Sequence, residues 1–269
     1  MNAPFRLPNR YRAIFVSDVH LGTKRAQTEH FLDFLRITES EWLYLVGDLV
    51  DNWALRKAWH WDQLHNDVIQ KILRKARKGT RVIYIPGNHD ELLGGHLGAY
   101  GAIAVQRHAF HLTADGRRML IMHGHELDTV VQNMRWLAVC GELGYEMLLR
   151  LNPLVNAARR LFGFGYWSLS KYVKSRVKNA VCFISAYEEA VVHFAQKYRV
   201  HAVMCGHIHS PAERRTGAIE YYNCGDWVES CSAIVEHHDG RLELMNQFRP
   251  RDVTFRIPRR PAVALLPAA

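Results

Sequence analysis

Short apolar runs recur along the chain, and a polar motif follows each of them directly. The runs cover residues 13–16, 42–46, 82–85, 119–122 and 202–205. Runs of this length between turn signals are typical of strands that are buried on both faces. The pattern therefore predicts a core of buried strands whose ends carry the polar groups.

The first 127 residues alternate strand and helix patterns. Strands are expected over 11–16, 42–46 and 81–85, and helices over 26–38 and 61–78, with Gly79 at a helix C-cap position. This alternation favours parallel strands joined by crossover helices. Shorter strands follow at 103–105, 109–113 and 119–122, with a hairpin turn at 114–116.

The strand series is interrupted between residues 128 and 199. Helices are expected over 129–151, 153–162, 168–179 and 181–197. We interpret residues 1–127 and 200–250 as the core, 128–199 as a helical cap insertion and 251–269 as a loosely ordered tail. Strands at 218–222, 233–236 and 241–245, with a turn at 238–240, are expected to complete a second sheet in antiparallel fashion.

The cap pattern is amphipathic and basic, with residues such as Leu148 and Phe162 interleaved with Arg159 and Lys174. One interpretation is a set of helices that pack on the core and expose a solvated charged face. The other is an apolar groove or membrane-facing surface with a basic rim.

The amino-acid composition leaves several classes of binding partner open. The 269 residues carry a formal charge of +9, which suits a nucleic acid, an anionic membrane, an anionic substrate or simply a solvated basic surface. No recognised nucleic-acid-binding motif is present, so no stable nucleic-acid partner is expected. The five cysteines lack zinc-finger spacing, and no signal peptide or membrane-spanning stretch is evident, which favours a cytoplasmic protein.

The polar motifs carry the candidate chemistry. They read Asp18-Val19-His20, Gly47-Asp48, Gly87-Asn88-His89-Asp90, His123-Gly124-His125 and Gly206-His207-Ile208-His209. Ligands of open α/β sheets lie at the carboxyl ends of the strands, so these groups should meet at one edge. Seven groups with Asp48 as a bridge would make two sites of four ligands each. Nitrogen and oxygen ligands without thiolate suit Mn, Fe, Zn or Co and fit Ca poorly.

This ordered series resembles the calcineurin-like metallophosphoesterase superfamily, whose signature contains the same five elements in the same order. The resemblance implies an α/β fold, a four-layer αββα sandwich, with two divalent ions at the sheet edges, manganese being the first expectation. It implies a first site formed by Asp18, His20, Asp48 and His209. It implies a second site formed by Asp48, Asn88, His123 and His207.

The residues beside the ligands suggest the proton chemistry. His89 is not a ligand in this assignment and could protonate the leaving oxygen, with Asp90 orienting its imidazole. The alternative is that His89 only supports the ligands. His125 could support the ligands or bind phosphate.

Within the superfamily the chain is most similar to the UDP-2,3-diacylglucosamine hydrolases of lipid A synthesis, notably at residues 43–48 and 119–124. Those enzymes carry a helical cap at the same place and associate peripherally with the inner membrane. The resemblance implies a lipid-linked nucleotide substrate, cleaved to UMP and 2,3-diacylglucosamine 1-phosphate, and contact with an anionic membrane surface. Expected substrate contacts are His125, Asp51, Lys178, Asn179 and Trp227; core packing is the alternative for Trp227.

Two positions depart from the familiar members of that group. They carry Arg where this chain has His89 and Asp where it has His125, and the stretch 174–179 does not match theirs residue for residue. A divergent paralogue that acts as a general phosphodiesterase, phosphatase or nuclease is therefore the alternative prediction. The oligomeric state stays open.

Overall fold

A computed structural model describes residues 9–91, 95–128 and 170–246, with side chains in its last helix from residue 183 onward. The strands in these ranges are β1 (Asn9–Val16), β2 (Thr38–Val46), β3 (Arg81–Ile85), β4 (Gly98–Tyr100), β5 (Ile103–Val105), β6 (His108–Leu112), β7 (Arg118–Met122), β8 (Ala202–Cys205), β9 (Ala212–Thr216), β10 (Ile219–Asn223), β11 (Ala233–Glu236) and β12 (Leu242–Met245). The helices are α1 (Thr28–Ile37), α2 (Asn52–Lys57), α3 (Gln63–Arg77) and α4 (Ser170–Gln196), and a 3₁₀ turn covers His125–Leu127.

The first sheet has the order β12-β11-β1-β2-β3-β5-β4. Its central strands β1, β2, β3 and β5 are parallel, and Ile14 lies opposite Leu43, which in turn lies opposite Val82. Helices α1 and α3 make the crossovers, as the strand and helix alternation predicted. The carboxyl ends of β1, β2 and β3 therefore meet at one edge of this sheet.

The second sheet has the order β6-β7-β8-β10-β9. The predicted hairpin between β6 and β7 is present, and β8 runs parallel to both β7 and β10. The prediction that residues 233–236 and 241–245 complete this second sheet is wrong. Strand β11 instead pairs antiparallel with β1, and β12 with β11, which buries both faces of β11: Ile234 lies in the apolar layer between the sheets and Val235 packs on the helix side.

Alternating side chains build the layers of the fold. In β1, Ile14 and Val16 face α1 and α3, whereas Ala13 and Phe15 face the second sheet. This period of two follows from the pleat, in which successive side chains point to opposite faces. A third apolar cluster lies between the second sheet and α4. The order helix, sheet, sheet, helix confirms the predicted four-layer αββα sandwich.

A buried polar network also crosses the space between the sheets. Glu236 Oε1 accepts a hydrogen bond from Arg12 at 2.7 Å, and Glu236 Oε2 lies 2.6 Å from His111 Nε2. The other ring nitrogen of His111 lies 2.9 Å from the Tyr44 hydroxyl. Since these residues come from four strands, the network ties both sheets together.

Helix α4 differs from the predicted pair of helices at 168–179 and 181–197, since the chain continues without a break through Ala180. Tyr187 and Val191 of α4 are fully buried against the second sheet. Residues 129–169, with the predicted helices at 129–151 and 153–162, lie outside the described residues, as does the tail at 251–269. The cap insertion therefore stays a prediction. No helix in the described ranges is long and apolar enough to span a bilayer.

Three elements were not predicted: α2, β4 and β9. Helix α2 begins directly after the Asp48 motif, and Asp51 caps it by accepting a hydrogen bond from Ala54 N at 2.7 Å. This helix turns the chain back over the carboxyl edge of the first sheet. It thereby adds a wall beside the strand ends.

Candidate metal centre

The predicted ligands stand on strained backbone. Five of the seven adopt a left-handed conformation, with φ of +53° at Asp18, +52° at His20, +53° at Asp48, +70° at His207 and +52° at His209. Asp and His tolerate this region better than most residues, yet each costs roughly 1 kcal/mol. Such strain concentrates at functional sites, where the surrounding fold holds it in place.

One cluster joins the ends of β1 and β8. Asp18 Oδ1 lies 3.2 Å from His209 Nε2 and 3.8 Å from His20 Nε2, and the two imidazole Nε2 atoms are 3.3 Å apart. Asp48 Oδ2 lies 3.8 Å from His20 Nε2. One ligand atom from each of Asp18, His20 and His209 falls within 4.8 Å of the others, which is close enough to surround one cation.

A second cluster joins the ends of β2 and β7. Asp48 Oδ2 lies 3.5 Å from His123 Nε2, and Asp18 completes a group whose ligand atoms lie within 4.8 Å of one another. The His207 ring is 5.2 Å from the His123 ring, centroid to centroid. Asp48 thus lies near histidines of both clusters, and its bridging position stays a prediction.

Buried atoms without partners test whether cations fit here. Asp18 Oδ1, Asn88 Oδ1 and His123 Nε2 are buried, and none has a hydrogen-bond partner among the described residues. A buried polar atom without a partner costs about 1–3 kcal/mol, so an uncompensated set is unfavourable. All three belong to predicted ligands and are of the types that bind divalent ions, so cations bound at the two predicted sites would satisfy them.

The electrostatics also favour cations. Burial disfavours charged imidazole, but contacts with Asp18 and Asp51 outweigh it and raise the pKa of His20 to about 10. Burial likewise opposes the charged form of His123, whereas Asp48 and Asp18 raise its pKa to about 10. The carboxylates therefore create a negative field that protons occupy when no metal does.

Neighbouring groups fix the ligands. Asp18 Oδ2 accepts hydrogen bonds from the Ser17 hydroxyl and from His207 N, the latter at 2.9 Å. Asp48 Oδ1 accepts one from His89 N at 2.9 Å. Since these bonds use one oxygen of each carboxylate, the other oxygen of Asp18 and of Asp48 faces the histidines.

Two carboxylates behind histidines extend this support. Asp128 Oδ1 lies 2.8 Å from His207 Nε2, and Asp226 Oδ2 lies 3.8 Å from His209 Nδ1. Carboxylates behind ligating imidazoles fix the tautomer and the ring orientation. The contact of Asp128 was not predicted, because nothing in its local sequence links it to His207, which lies 79 residues later.

The glycines of the motifs permit close approach. A Cβ at Gly87 would collide with Asp48 Oδ1 and lie 2.7 Å from His123 Nε2. A Cβ at Gly206 would collide with the Ser17 hydroxyl and lie 2.6 Å from Asp18 Oδ2. The backbone therefore passes where a side chain would displace the ligands.

The predicted role of Asp90 is wrong. Asp90 is fully buried, and its carboxylate accepts hydrogen bonds from Leu49 N at 2.7 Å, Gly87 N at 2.5 Å and the Tyr84 hydroxyl. It therefore clamps the loop that carries Asn88 rather than orienting His89.

Asp51 takes the role that was expected of Asp90. Asp51 Oδ1 lies 3.0 Å from His89 Nδ1, and its Oδ2 lies 3.1 Å from His20 Nδ1. Asp51 is only 6% exposed, so it sits behind both imidazoles instead of contacting substrate as predicted. Together with His20 and His89 it forms the third close group of possible ligands, which we interpret as a positioning contact.

The other residues that were expected to contact substrate differ in where the structure places them. Trp227 is buried against Phe31 and Phe34 at ring distances of 4.9 and 5.1 Å, so the alternative of core packing holds and the substrate contact is wrong. The His125 ring lies 5.4 Å from that of His123, beside the second cluster. The side chains of Lys178 and Asn179 lie outside the described residues.

An aromatic ring covers His89 from the solvent side. Trp53, on α2, lies 4.3 Å from the His89 ring and remains 56% exposed. The exposed indole face is available to a planar or apolar part of a substrate.

Known proteins match this chain over most of its length. A family model described as calcineurin-like phosphoesterase matches residues 11–211. A UDP-2,3-diacylglucosamine hydrolase of Psychromonas ingrahamii is 27% identical over 241 residues, which cover 85% of this chain and 94% of that protein. One of Xanthomonas campestris pv. campestris is 30% identical over 256 residues, covering 84% and 96%. A solved phosphoesterase from E. coli aligns with a TM-score of 0.43 at 18% identity, covering 87% of this chain and 97% of that structure.

Proposed function

Because the chain belongs to the calcineurin-like phosphoesterase family of metal-dependent phosphoester hydrolases, we propose that it hydrolyses UDP-2,3-diacylglucosamine to UMP and 2,3-diacylglucosamine 1-phosphate. The relatives of that name, 26–30% identical over most of the chain, support this substrate. The observation that carries the hydrolytic chemistry is the convergence of strained, partly unpartnered ligand residues at one edge of the fold.

Two divalent ions, manganese first, fit the donor set. Asp18, His20, Asp48 and His209 would hold one, and Asp48, Asn88, His123 and His207 the other. When bound, such a pair supplies Lewis acidity that withdraws charge from phosphoryl oxygens and activates water. Asp48 contacts histidines of both clusters, which supports its place between the ions.

His89 is proposed to protonate the leaving oxygen. Its Nδ1 faces Asp51, so Nε2 is the nitrogen that can donate a proton toward a substrate. The short distance to the Asp51 carboxylate supports this orientation of the ring. Trp53 packs on the same imidazole and limits its movement.

Changing the leaving group tests this role. His89→Ala should lower turnover by about 10²–10⁴ while metal content stays unchanged. The loss should be smaller for a nitrophenyl ester, whose leaving group needs little protonation. An equal loss for both substrate types would instead assign His89 to phosphate positioning.

A general phosphodiesterase or nuclease is the second candidate. A histidine positioned by Asp51 supports protonation of many leaving groups and does not itself require a lipid-linked nucleotide. Parallel assays with UDP-2,3-diacylglucosamine, a nucleotide monoester, a simple phosphodiester and single-stranded DNA separate the two candidates. Preference for the acylated nucleotide supports the first, whereas comparable rates on all four contradict it.

The residues between 128 and 199 are proposed to select the substrate and to contact an anionic membrane. Each buried methylene of an acyl chain contributes about 0.8 kcal/mol, so an apolar groove would discriminate for long chains. Leu148→Asp with Phe162→Asp should raise KM for an acylated nucleotide and leave hydrolysis of a small diester nearly unchanged. Binding to anionic vesicles should weaken as salt increases.

A further inference from the structure

A basic cavity lies at the opposite end of the first sheet from the metal centre. It has a volume of about 560 Å³ and is lined by Lys71, Arg74, Lys75 and Lys78 together with Glu39 and Ser40. Glu39 belongs to the start of β2, whereas Asp48 follows its end. The seven steps from Glu39 to Val46 span roughly 23 Å of extended strand, so the two places are separate.

The lining carries a strong excess of positive charge. Its four cations and one carboxylate give a net formal charge of +3. Glu39 already lies 3.6 Å from Arg10, and none of the four lining cations forms an ion pair with a carboxylate of the described residues. Glu39 acts on Lys71 and Lys75 from a distance, but one carboxylate does not balance four cations among the described residues.

One of these cations is buried. Lys75 is only 6% exposed, and its ammonium group donates a hydrogen bond to the Thr38 carbonyl. Withdrawing an ammonium from water costs several kcal/mol unless it is well paired. Burial, and then the neighbouring Lys71, lower the pKa of Lys75 to about 8, and burial and Arg74 lower that of Lys71.

The helix end does not account for this arrangement. Cations in the last turn of a helix compensate its dipole, and Arg74, Lys75 and Arg77 occupy the last turn of α3. Lys71 lies a turn earlier, and Lys78 follows the last helical residue, yet both face the same cavity. The Ser40 hydroxyl there is buried and has no hydrogen-bond partner among the described residues.

We propose that this cavity, the basic pocket, binds a phosphate-bearing anion at a site distinct from the metal centre. Several ammonium and guanidinium groups around one cavity are the usual recognition chemistry for phosphate, and the Ser40 hydroxyl adds a neutral donor. The volume accommodates a ligand from inorganic phosphate to a nucleoside monophosphate in size. Because the pocket lies at the far end of the sheet, a soluble anion can reach it while the metal centre faces a substrate.

Thermal unfolding of the full-length, metal-loaded protein tests the proposal. Inorganic phosphate, pyrophosphate and UMP are added separately, with chloride at matched ionic strength as the reference. The pocket variant is Lys71→Gln with Lys78→Gln. The matched control is Lys57→Gln with Arg77→Gln, which removes two exposed cations outside the pocket, one of them on the same helix.

At about ten times Kd, a bound anion should raise Tm by roughly 3 °C relative to chloride. Anion binding at the metal centre is common to all three proteins and cancels in the comparison. We expect wild type and control to shift more than the pocket variant with at least one of the three anions. Measuring Lys71→Gln and Lys78→Gln singly preserves the comparison if the double variant does not fold.

Two results would overturn the proposal. Equal shifts in all proteins would mean that no anion occupies the pocket, and equal losses in both double variants would mean that only general surface charge matters. Flotation with phosphatidylglycerol vesicles identifies the source of the phosphate. If Lys71 and Lys78 are needed for vesicle binding but not for any shift with free anions, the pocket binds the phosphate of a lipid headgroup.

Discussion

Asp51 Oδ1 lies 3.0 Å from Nδ1 of His89, so a buried carboxylate stands directly behind the proposed proton donor. The same residue caps α2 and contacts His20, which links the helix, the metal centre and the proton donor. A change at Asp51 should therefore affect chemistry more than folding.

Asp51→Asn keeps the shape and removes the charge. We expect turnover to fall about 10–100-fold, as for other carboxylates behind functional histidines. The loss should be measured by steady-state kinetics at a single pH. The control Asp33→Asn removes the partner of surface Arg36 and should leave activity unchanged. Identical losses in both variants would contradict the role of Asp51.

The metal content of single-ligand variants should depend on whether the changed residue contacts one cluster or both. Elemental analysis of protein prepared with manganese should give close to two ions per chain. Asp48→Ala should lose the most metal, because Asp48 contacts both clusters, and Asn88→Ala should mainly empty one site. A wild-type protein that never holds more than one ion at saturating metal would rule out the two-metal centre.

Gly87→Ala should damage the metal centre by crowding alone. Gly87 does not have a positive φ, so alanine adds no left-handed strain there, but its Cβ would press on Asp48 and His123. We expect lower manganese affinity by equilibrium dialysis with near-normal circular dichroism. Gly95→Ala, where a Cβ would meet no atom of the described residues within 4 Å, is the matched control. Full metal binding by Gly87→Ala would show that the loop around Gly87 can shift enough to accommodate the added methyl group.

The Glu236 network should make stability depend on pH. Burial opposes ionisation, but His111 and the amide of Ala114 hold the pKa of Glu236 below its ordinary value. Because the folded pKa is lowered, this stabilisation is present above the unfolded pKa, near 4.3, and is lost as pH falls through the folded pKa.

Urea unfolding of Glu236→Gln measures this contribution. The free energy of unfolding should fall by about 2 kcal/mol at pH 7, and the difference from wild type should shrink below pH 4. Glu243→Gln removes a half-exposed carboxylate that pairs with His237, and it should lower the free energy of unfolding by less than about 0.5 kcal/mol. If the difference in unfolding free energy between wild type and Glu236→Gln is the same at every pH, the charge of Glu236 is not the source of the stabilisation.

The position of the candidate ligands at one sheet edge could be predicted because each motif directly follows its own strand. Each motif follows its own apolar run, and parallel strand ends must meet at one edge, so Asp18 and Asp48 could be placed together without coordinates. The central parallel strands were predicted for the same reason.

The wrong predictions concern contacts between residues that are distant in sequence, which no local pattern encodes. Asp51 and Asp90 both lie near His89 in the fold, and only the position of α2 decides which carboxylate faces the imidazole. Trp227 follows a strand end like a pocket residue, yet α1 covers it. Strands β11 and β12 have the pattern of any antiparallel pair, so their sheet could not be assigned from sequence.

The left-handed ligand positions have a practical consequence for anyone improving this protein. His209 holds φ at +52° with a side chain that is 39% exposed, so glycine there would relieve backbone strain but would also remove the 3.2 Å contact with Asp18. The heat resistance of a metal-free His209→Gly chain therefore measures the difference between these two effects and says nothing about turnover. A thermostability screen on metal-free protein could consequently accept variants that lack a proposed ligand, and selection must be run with activity as a second criterion.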